Sequence, residues 1–263
     1  MAREPVTGIC KICAVHGKLS KEHVPPEAAF NNRKVLLSTA DEYWSRGQTQ
    51  GLKVRGKQVQ GGHSLYTLCE KCNNRTGGWY GRDFVEWCRQ GMEFLDKTGG
   101  KGTVLHFSVV KPLPIIKQVT TMFLALNGTG GSHPWERPLV HFVMNKEERY
   151  LDPSYRFWVY YVAPGPLRNT PLCTRWNIEK GWFETGMEFS FPPFGYLLTL
   201  GSIPEDKRPF EITGFSRYRY GEIDRITLNM AVLPTHGPTF GDYRSFKKLE
   251  RRDVDTNVII GMC

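Results

Sequence analysis

The sequence predicts an α+β protein in two unequal parts. Three observations predict it. The opening eighty or so residues are polar, rich in turns and punctuated by two Cys-x-x-Cys pairs; one amphipathic run closes that segment; and beyond residue 103 apolar runs at strand spacing alternate with proline and glycine. At 263 residues and 40% hydrophobic content the chain can bury a sizeable core. The expected boundary gives residues 1–100 to a small first domain and residues 101–263 to a larger α+β domain with a mainly antiparallel sheet.

In the first part Gly61-Gly62 and Gly77-Gly78 read as breakers, and few apolar periods are long enough to make a core unaided. From Asp83 to Lys97, Phe84, Val85, Trp87, Cys88, Met92 and Leu95 recur at mostly helical spacing, and Gly99-Gly100 stops the run. Strands are expected over Val104–Val110, Arg156–Val162, Glu188–Phe191, Tyr196–Leu200 and Arg225–Val232, with helices over Ile115–Leu126 and Leu139–Glu148. Trp135, Trp158, Trp176 and Trp182 are assigned to the core.

The net charge of +9 favours a polyanionic partner, though basic surfaces also occur on proteins that bind no nucleic acid. No run of eighteen apolar residues is present, and the N-terminus lacks an apolar stretch with a cleavage site. The expectation is a soluble, cytoplasmic protein without a membrane partner. The seven cysteines suit a reducing compartment: four stand as Cys10-x-x-Cys13 and Cys69-x-x-Cys72, while Cys88, Cys173 and Cys263 are scattered. Two knuckles of that spacing suit one tetrahedral Zn2+, which with four thiolates has no open position and serves structure. His16 is an alternative ligand beside the first knuckle.

Between the knuckles lies Lys21-Glu22-His23-Val24-Pro25-Pro26, and straight after the second come Asn73-Asn74-Arg75. The prolines draw the chain out extended after His23, whose imidazole can take a proton from water near neutral pH. Glu22 offers a hard oxygen and Asn73 a neutral one to a divalent ion such as Mg2+.

These residues resemble the HNH endonuclease family, the ββα-metal fold in its zinc-stapled form, over residues 8 to about 82. The matching residues are Cys10 and Cys13, then Glu22-His23-Val24 with the two prolines, then Leu68-Cys69-Glu70-Lys71-Cys72-Asn73-Asn74-Arg75. The resemblance implies His23 as general base, Glu22 and Asn73 on the catalytic divalent ion, and the four cysteines on structural zinc. It further implies hydrolysis of DNA phosphodiesters, with RNA an alternative substrate and a bacterial or phage defence or restriction role as the family analogy.

Two departures stand out. Where the family has a loop-tying asparagine five residues before the second knuckle, this chain has Ser64, next to His63; a serine cannot span the loop with donor and acceptor together, and His63 is a candidate base or ligand in its place. The second departure is the insertion from Glu27 to Gly62, whose Lys53, Arg55 and Lys57 are candidate nucleic-acid contacts with Arg75 and Arg82; a solvated basic loop is the alternative. Asn74, Trp79 and Tyr80 belong to the same candidate surface, with core packing the other reading of the two rings. Arg217-Tyr218-Arg219-Tyr220 alternates as a half-exposed strand would, and Arg244, Lys247, Lys248, Arg251 and Arg252 form a basic cluster. Residues 101–263 carry no triad, phosphate loop or carboxylate pair; target recognition, a regulatory ligand or homo-oligomerisation are their expected roles. Two rival readings remain: a non-catalytic zinc-stapled nucleic-acid-binding protein with a degenerate site, and a zinc-stabilised interaction module.

Overall fold

A computed structural model describes residues 4–39, 42, 55–128, 130–162, 167–178, 181–233 and 258–261. Lys53, Cys263 and the basic cluster of residues 244–252 lie outside them.

The chain opens with β1 (Thr7–Ile9) and β2 (His16–His23) as an antiparallel pair, the first knuckle forming the turn between them. Next come β3 (Val35–Thr39) and β4 (Lys57–Val59), antiparallel to each other, and β5 (Ser64–Cys69), which returns antiparallel to β2 with His23 opposite Ser64. The second knuckle starts α1 (Glu70–Thr76), which continues through a π-helical turn, Gly77–Gly81, into α2 (Arg82–Lys97). Gly77-Gly78 therefore does not break the chain as expected: both glycines are absorbed into one helical run from Glu70 to Lys97. Gly99 and Gly100, at φ of 60° and 76°, do end it, with the Gly100 N–H donating to the Leu95 carbonyl.

The second half begins with β6 (Thr103–Val110) and α3 (Pro112–Leu126). Prolines at 112 and 114 suit a first helical turn, whose N–H groups have no intrahelical partner, so α3 starts earlier than its apolar period suggests. All fifteen of its residues are buried, making it the central helix. Then follow α4 (Arg137–Met144), shorter than expected because Asn145 is extended, and the strands β7 (Tyr155–Val162), β8 (Leu167–Asn177), β9 (Trp182–Phe191) and β10 (Phe194–Leu200). After β11 (Phe210–Glu211) come β12 (Asp224–Met230), β13 (Val232–Leu233) and β14 (Val258–Gly261). Arg217 to Tyr220 is not a strand; a 3-10 turn over Thr213–Arg217 leads into a bend.

The architecture is α+β with mainly antiparallel pairing. One sheet runs β1-β2-β5, a second pairs β12 with β6, and a nine-stranded sheet runs β11-β7-β10-β9-β8-β14-β3-β4, with β13 alongside β7. Strands β3 and β4 thus join the larger sheet, and buried residues from Cys10 to Leu233 form one continuous cluster. Buried residues on both sides of residue 100 belong to that cluster. Helix α2 is held on the sheet by Trp87, stacked on Phe194 at 4.8 Å between centroids and donating from Nε1 to the Tyr196 hydroxyl at 3.0 Å. Gly91 permits that approach, since a Cβ there would lie 2.2 Å from Phe194 Cζ. Of the four tryptophans assigned to the core, Trp158 is buried and Trp135 partly so, but Trp176 is 69% exposed beside Phe183; the side chain of Trp182 is outside the described residues. No helix among the described residues is long and apolar enough to cross a membrane.

Candidate functional site

The β1–β2 turn and the β5–α1 junction bring Cys10, Cys13, Cys69 and Cys72 together, with all four sulfurs within 4.8 Å of one another. A tetrahedron with metal–sulfur arms of about 2.3 Å has edges of about 3.8 Å. Cys13 Sγ and Cys69 Sγ stand 3.8 Å apart, far too distant for a disulfide and right for such an edge. The Cys69 N–H donates to Cys10 Sγ at 3.3 Å, which favours a thiolate there. The Cys10 thiol is held low, at about 4, chiefly by the hydrogen bond from Cys72, while sharing that proton pushes Cys72 up. The donor set and spacing fit a soft, tetrahedral ion such as zinc. His16 is not in the cluster.

Beside it opens a cleft of about 980 Å³ between the end of β2, the α1–α2 run and α3. It brings Glu22, His23, Asn73 and Arg82 together with Lys21, Glu27 and Gln118. His23 is the last residue of β2, its side chain 16% exposed; Nε2 is buried without a partner and Nδ1 lies 3.5 Å from Glu27 Oε2. Its pKa is lowered, first by burial and then by the Lys21 charge, against the opposing pull of Glu27. Glu22 is buried with Oε2 unpartnered, and burial, reinforced by the charge of Cys10, pushes its carboxyl up to about 8. Asn73, in the first turn of α1, donates from Nδ2 to Ser20 Oγ at 3.1 Å and to the Lys21 carbonyl at 3.3 Å, pinning the helix to β2 just before His23.

The other candidates are dispersed. Arg82 and Lys21 are exposed on the cleft with no ion pair among the described residues, whereas Lys111 is paired with Asp83 at 2.9 Å. Arg75 stacks over Trp79 at 5.6 Å and does not line the cleft, Tyr80 is buried with its hydroxyl on the Val143 carbonyl, and Asn74 is exposed. Lys57, the first residue of β4 in the other sheet, and Arg55, two residues before it, are exposed and do not line the cleft.

Three contributors, Glu27, Asn31 and Gln118, were not named as candidates from the sequence. Asn31 ties the loop that leaves His23: Nδ2 donates to the Pro25 and His63 carbonyls at 2.7 and 2.8 Å, and Oδ1 accepts from the His63 N–H at 2.7 Å. Gly62 lets the strands close on it, having φ of 85° and a Cβ position only 2.0 Å from the Asn31 carbonyl oxygen. His63 is buried, its Nδ1 on the Val24 carbonyl at 3.0 Å, and so supports the His23 loop from behind without lining the cleft. Glu27 was readable as the residue four after His23, but Asn31 and Gln118 carry no local signal. Compared with protein-family models, curated proteins and solved structures, the chain shows no significant match.

Proposed function

We propose that this chain is a metal-dependent endonuclease of the HNH type that hydrolyses DNA phosphodiester bonds, with its four cysteines on a structural zinc. The observation that carries the reading is the pair of unpartnered buried atoms, Glu22 Oε2 and His23 Nε2, on successive residues of one strand and on one cleft with Asn73. Buried polar atoms without partners are costly and rare, and they mark places where a ligand completes the bonding. The succession β2, β5, α1, with a cysteine knuckle at the helix start, is also the strand–strand–helix order of the ββα-metal fold.

In this reading Glu22 Oε2 and Asn73 Oδ1, the amide end left over once Nδ2 is engaged, would hold Mg2+ or another divalent ion. When bound, that ion neutralises charge developing on the phosphate and leaving oxygen. His23, neutral at pH 7 because burial lowers its pKa, takes a proton from the attacking water at Nε2. Glu27 beside Nδ1 steadies the imidazolium that forms, and Lys21 and Arg82 hold phosphate oxygens.

The burial that leaves Glu22 neutral at pH 7 favours a second reading, a non-catalytic zinc-stapled nucleic-acid-binding protein. Plasmid nicking by zinc-loaded wild type and His23→Ala, with Mg2+, Mn2+ or EDTA, separates the two. The nuclease predicts divalent-dependent cutting that falls by roughly 10²- to 10⁴-fold in the variant. Salt-sensitive binding without cutting, by folded zinc-loaded wild type, would establish the second reading instead.

A further inference from the structure

A third unpartnered buried atom belongs to a side chain that lines the same cleft from outside the cysteine-stapled segment. Gln118, on the central helix α3, is only 4% exposed, lines the cleft, and leaves Oε1 without a partner. The π-helical turn packs against α3, and its Gly77 and Gly81 line the cleft too. A Cβ at either would meet nothing within 4 Å, so neither glycine is required by packing within the chain. Glycine is nevertheless unfavourable in a helix, and bare backbone on a cleft wall admits a flat group to close approach.

We propose that Gln118 reads a nucleobase: its Oε1 accepts a hydrogen bond from an exocyclic amino group lying against the Gly77–Gly81 wall. The assignment rests on the nucleic-acid reading above and names which part of the substrate this wall takes. An acceptor needs a donor, and the phosphodiester–deoxyribose chain has none within a strand. Only the bases supply N–H groups, and the amino groups of guanine, adenine and cytosine tell the bases apart. The central helix thereby contributes to selectivity, with phosphate binding left to Lys21 and Arg82.

The test is oligonucleotide binding by fluorescence anisotropy, in the zinc-loaded His23→Ala protein with glutamine or leucine at position 118. The oligonucleotides share one sequence, as single strands and as duplexes. In each set guanine is replaced by hypoxanthine, adenine by purine, or cytosine by 2-pyrimidinone, deleting one amino group. For one of the three bases, the deletion is expected to weaken binding about tenfold when Gln118 is present and less than twofold after Gln118→Leu. Because an unpartnered polar group contributes no internal bond, Gln118→Leu is expected to leave thermal stability unchanged or raised. Should leucine disturb folding, the comparison of oligonucleotides on Gln118 itself still decides: if none of the three deletions weakens binding, the proposal is overturned. Equal losses with glutamine and leucine also overturn it while leaving the nuclease reading in place, whereas absence of nucleic-acid binding by every protein overturns both.

Discussion

Asn31 and His63 clasp each other in both directions: the Asn31 amide donates to the His63 carbonyl at 2.8 Å and accepts from the His63 N–H at 2.7 Å. The same amide reaches the Pro25 carbonyl, so one side chain closes the loop that leaves His23 onto the start of β5. Asn31 is fully buried. Asn31→Ala strands the His63 N–H and the Pro25 carbonyl and leaves the His63 carbonyl with the Val24 N–H alone, and a loss of about 2–4 kcal/mol is expected in chemical denaturation. Asn31→Asp keeps the acceptor but sets a carboxylate against two carbonyls, and should be no milder. A change under about 0.5 kcal/mol in both variants would show that the clasp does not hold the loop.

The four-cysteine cluster should carry one zinc per chain, and its removal should unfold much more than the knuckles. Structural zinc contributes roughly 10–16 kcal/mol in small zinc peptides, comparable to the whole net stability of an ordinary domain, about 5–15 kcal/mol. The knuckles share the continuous core with α3 and the large sheet, so their loss is felt there. Metal analysis is expected to find one equivalent. A chelator strong enough to strip it, or Cys69→Ser, should abolish the near-ultraviolet circular dichroism of the buried tyrosines and tryptophans. Full retention of that signal in metal-free protein would contradict a structural role.

What the sequence made legible was whatever depends on short spacing. The two knuckles, the helix closed by Gly99-Gly100 and the strand positions of β6, β7 and β10 follow from periods of two or 3.6 and from turn residues. Long-range partners left no such trace. Asn31 meets His63 across 32 positions, and Lys11 meets Glu136 across 125, through backbone groups and charges with no spacing rule. Gly77-Gly78 misled because a glycine pair ordinarily ends a helix, whereas here the run continues through a π turn anchored by buried Tyr80, whose hydroxyl donates to the Val143 carbonyl. Trp176 misled because aromatic bulk usually means burial, and the β8–β9 hairpin leaves this ring largely in solvent.

Lys11, inside the first knuckle, is fully buried and reaches Glu136 at 3.2 Å and the Gly131 carbonyl at 2.7 Å. Glu136 is buried too and also accepts from Asn127. This pair ties the metal-binding turn to the start of α4. Removing one partner of a buried pair leaves a charge uncompensated, so Glu136→Ala should cost about 3–5 kcal/mol. The double variant Lys11→Met, Glu136→Leu should cost less than the sum of its singles by more than about 1 kcal/mol in a denaturation cycle. Strict additivity would mean that the two groups are stabilised separately.

Stability is expected to fall in mild acid through His63. A carbonyl can only accept, so its contact with Val24 requires the proton on Nδ1, and burial is the main reason its pKa is lowered from about 6.5. The nearby His23 acts in the same direction, while the Val24 hydrogen bond opposes. A lowered folded pKa means that, as pH drops below about 6.5, the unfolded chain binds this proton before the folded one does. The stabilisation is therefore complete above pH 6.5, declines through the window between that value and the lower folded pKa, and levels off beneath it. The slope attributable to this group is at most about 1.4 kcal/mol per pH unit. Urea denaturation at pH 7.5 and 5.5 should show wild type losing more stability than His63→Gln, whose amide can still donate to Val24 but does not titrate. Parallel losses in the two proteins would assign the acid sensitivity to other groups.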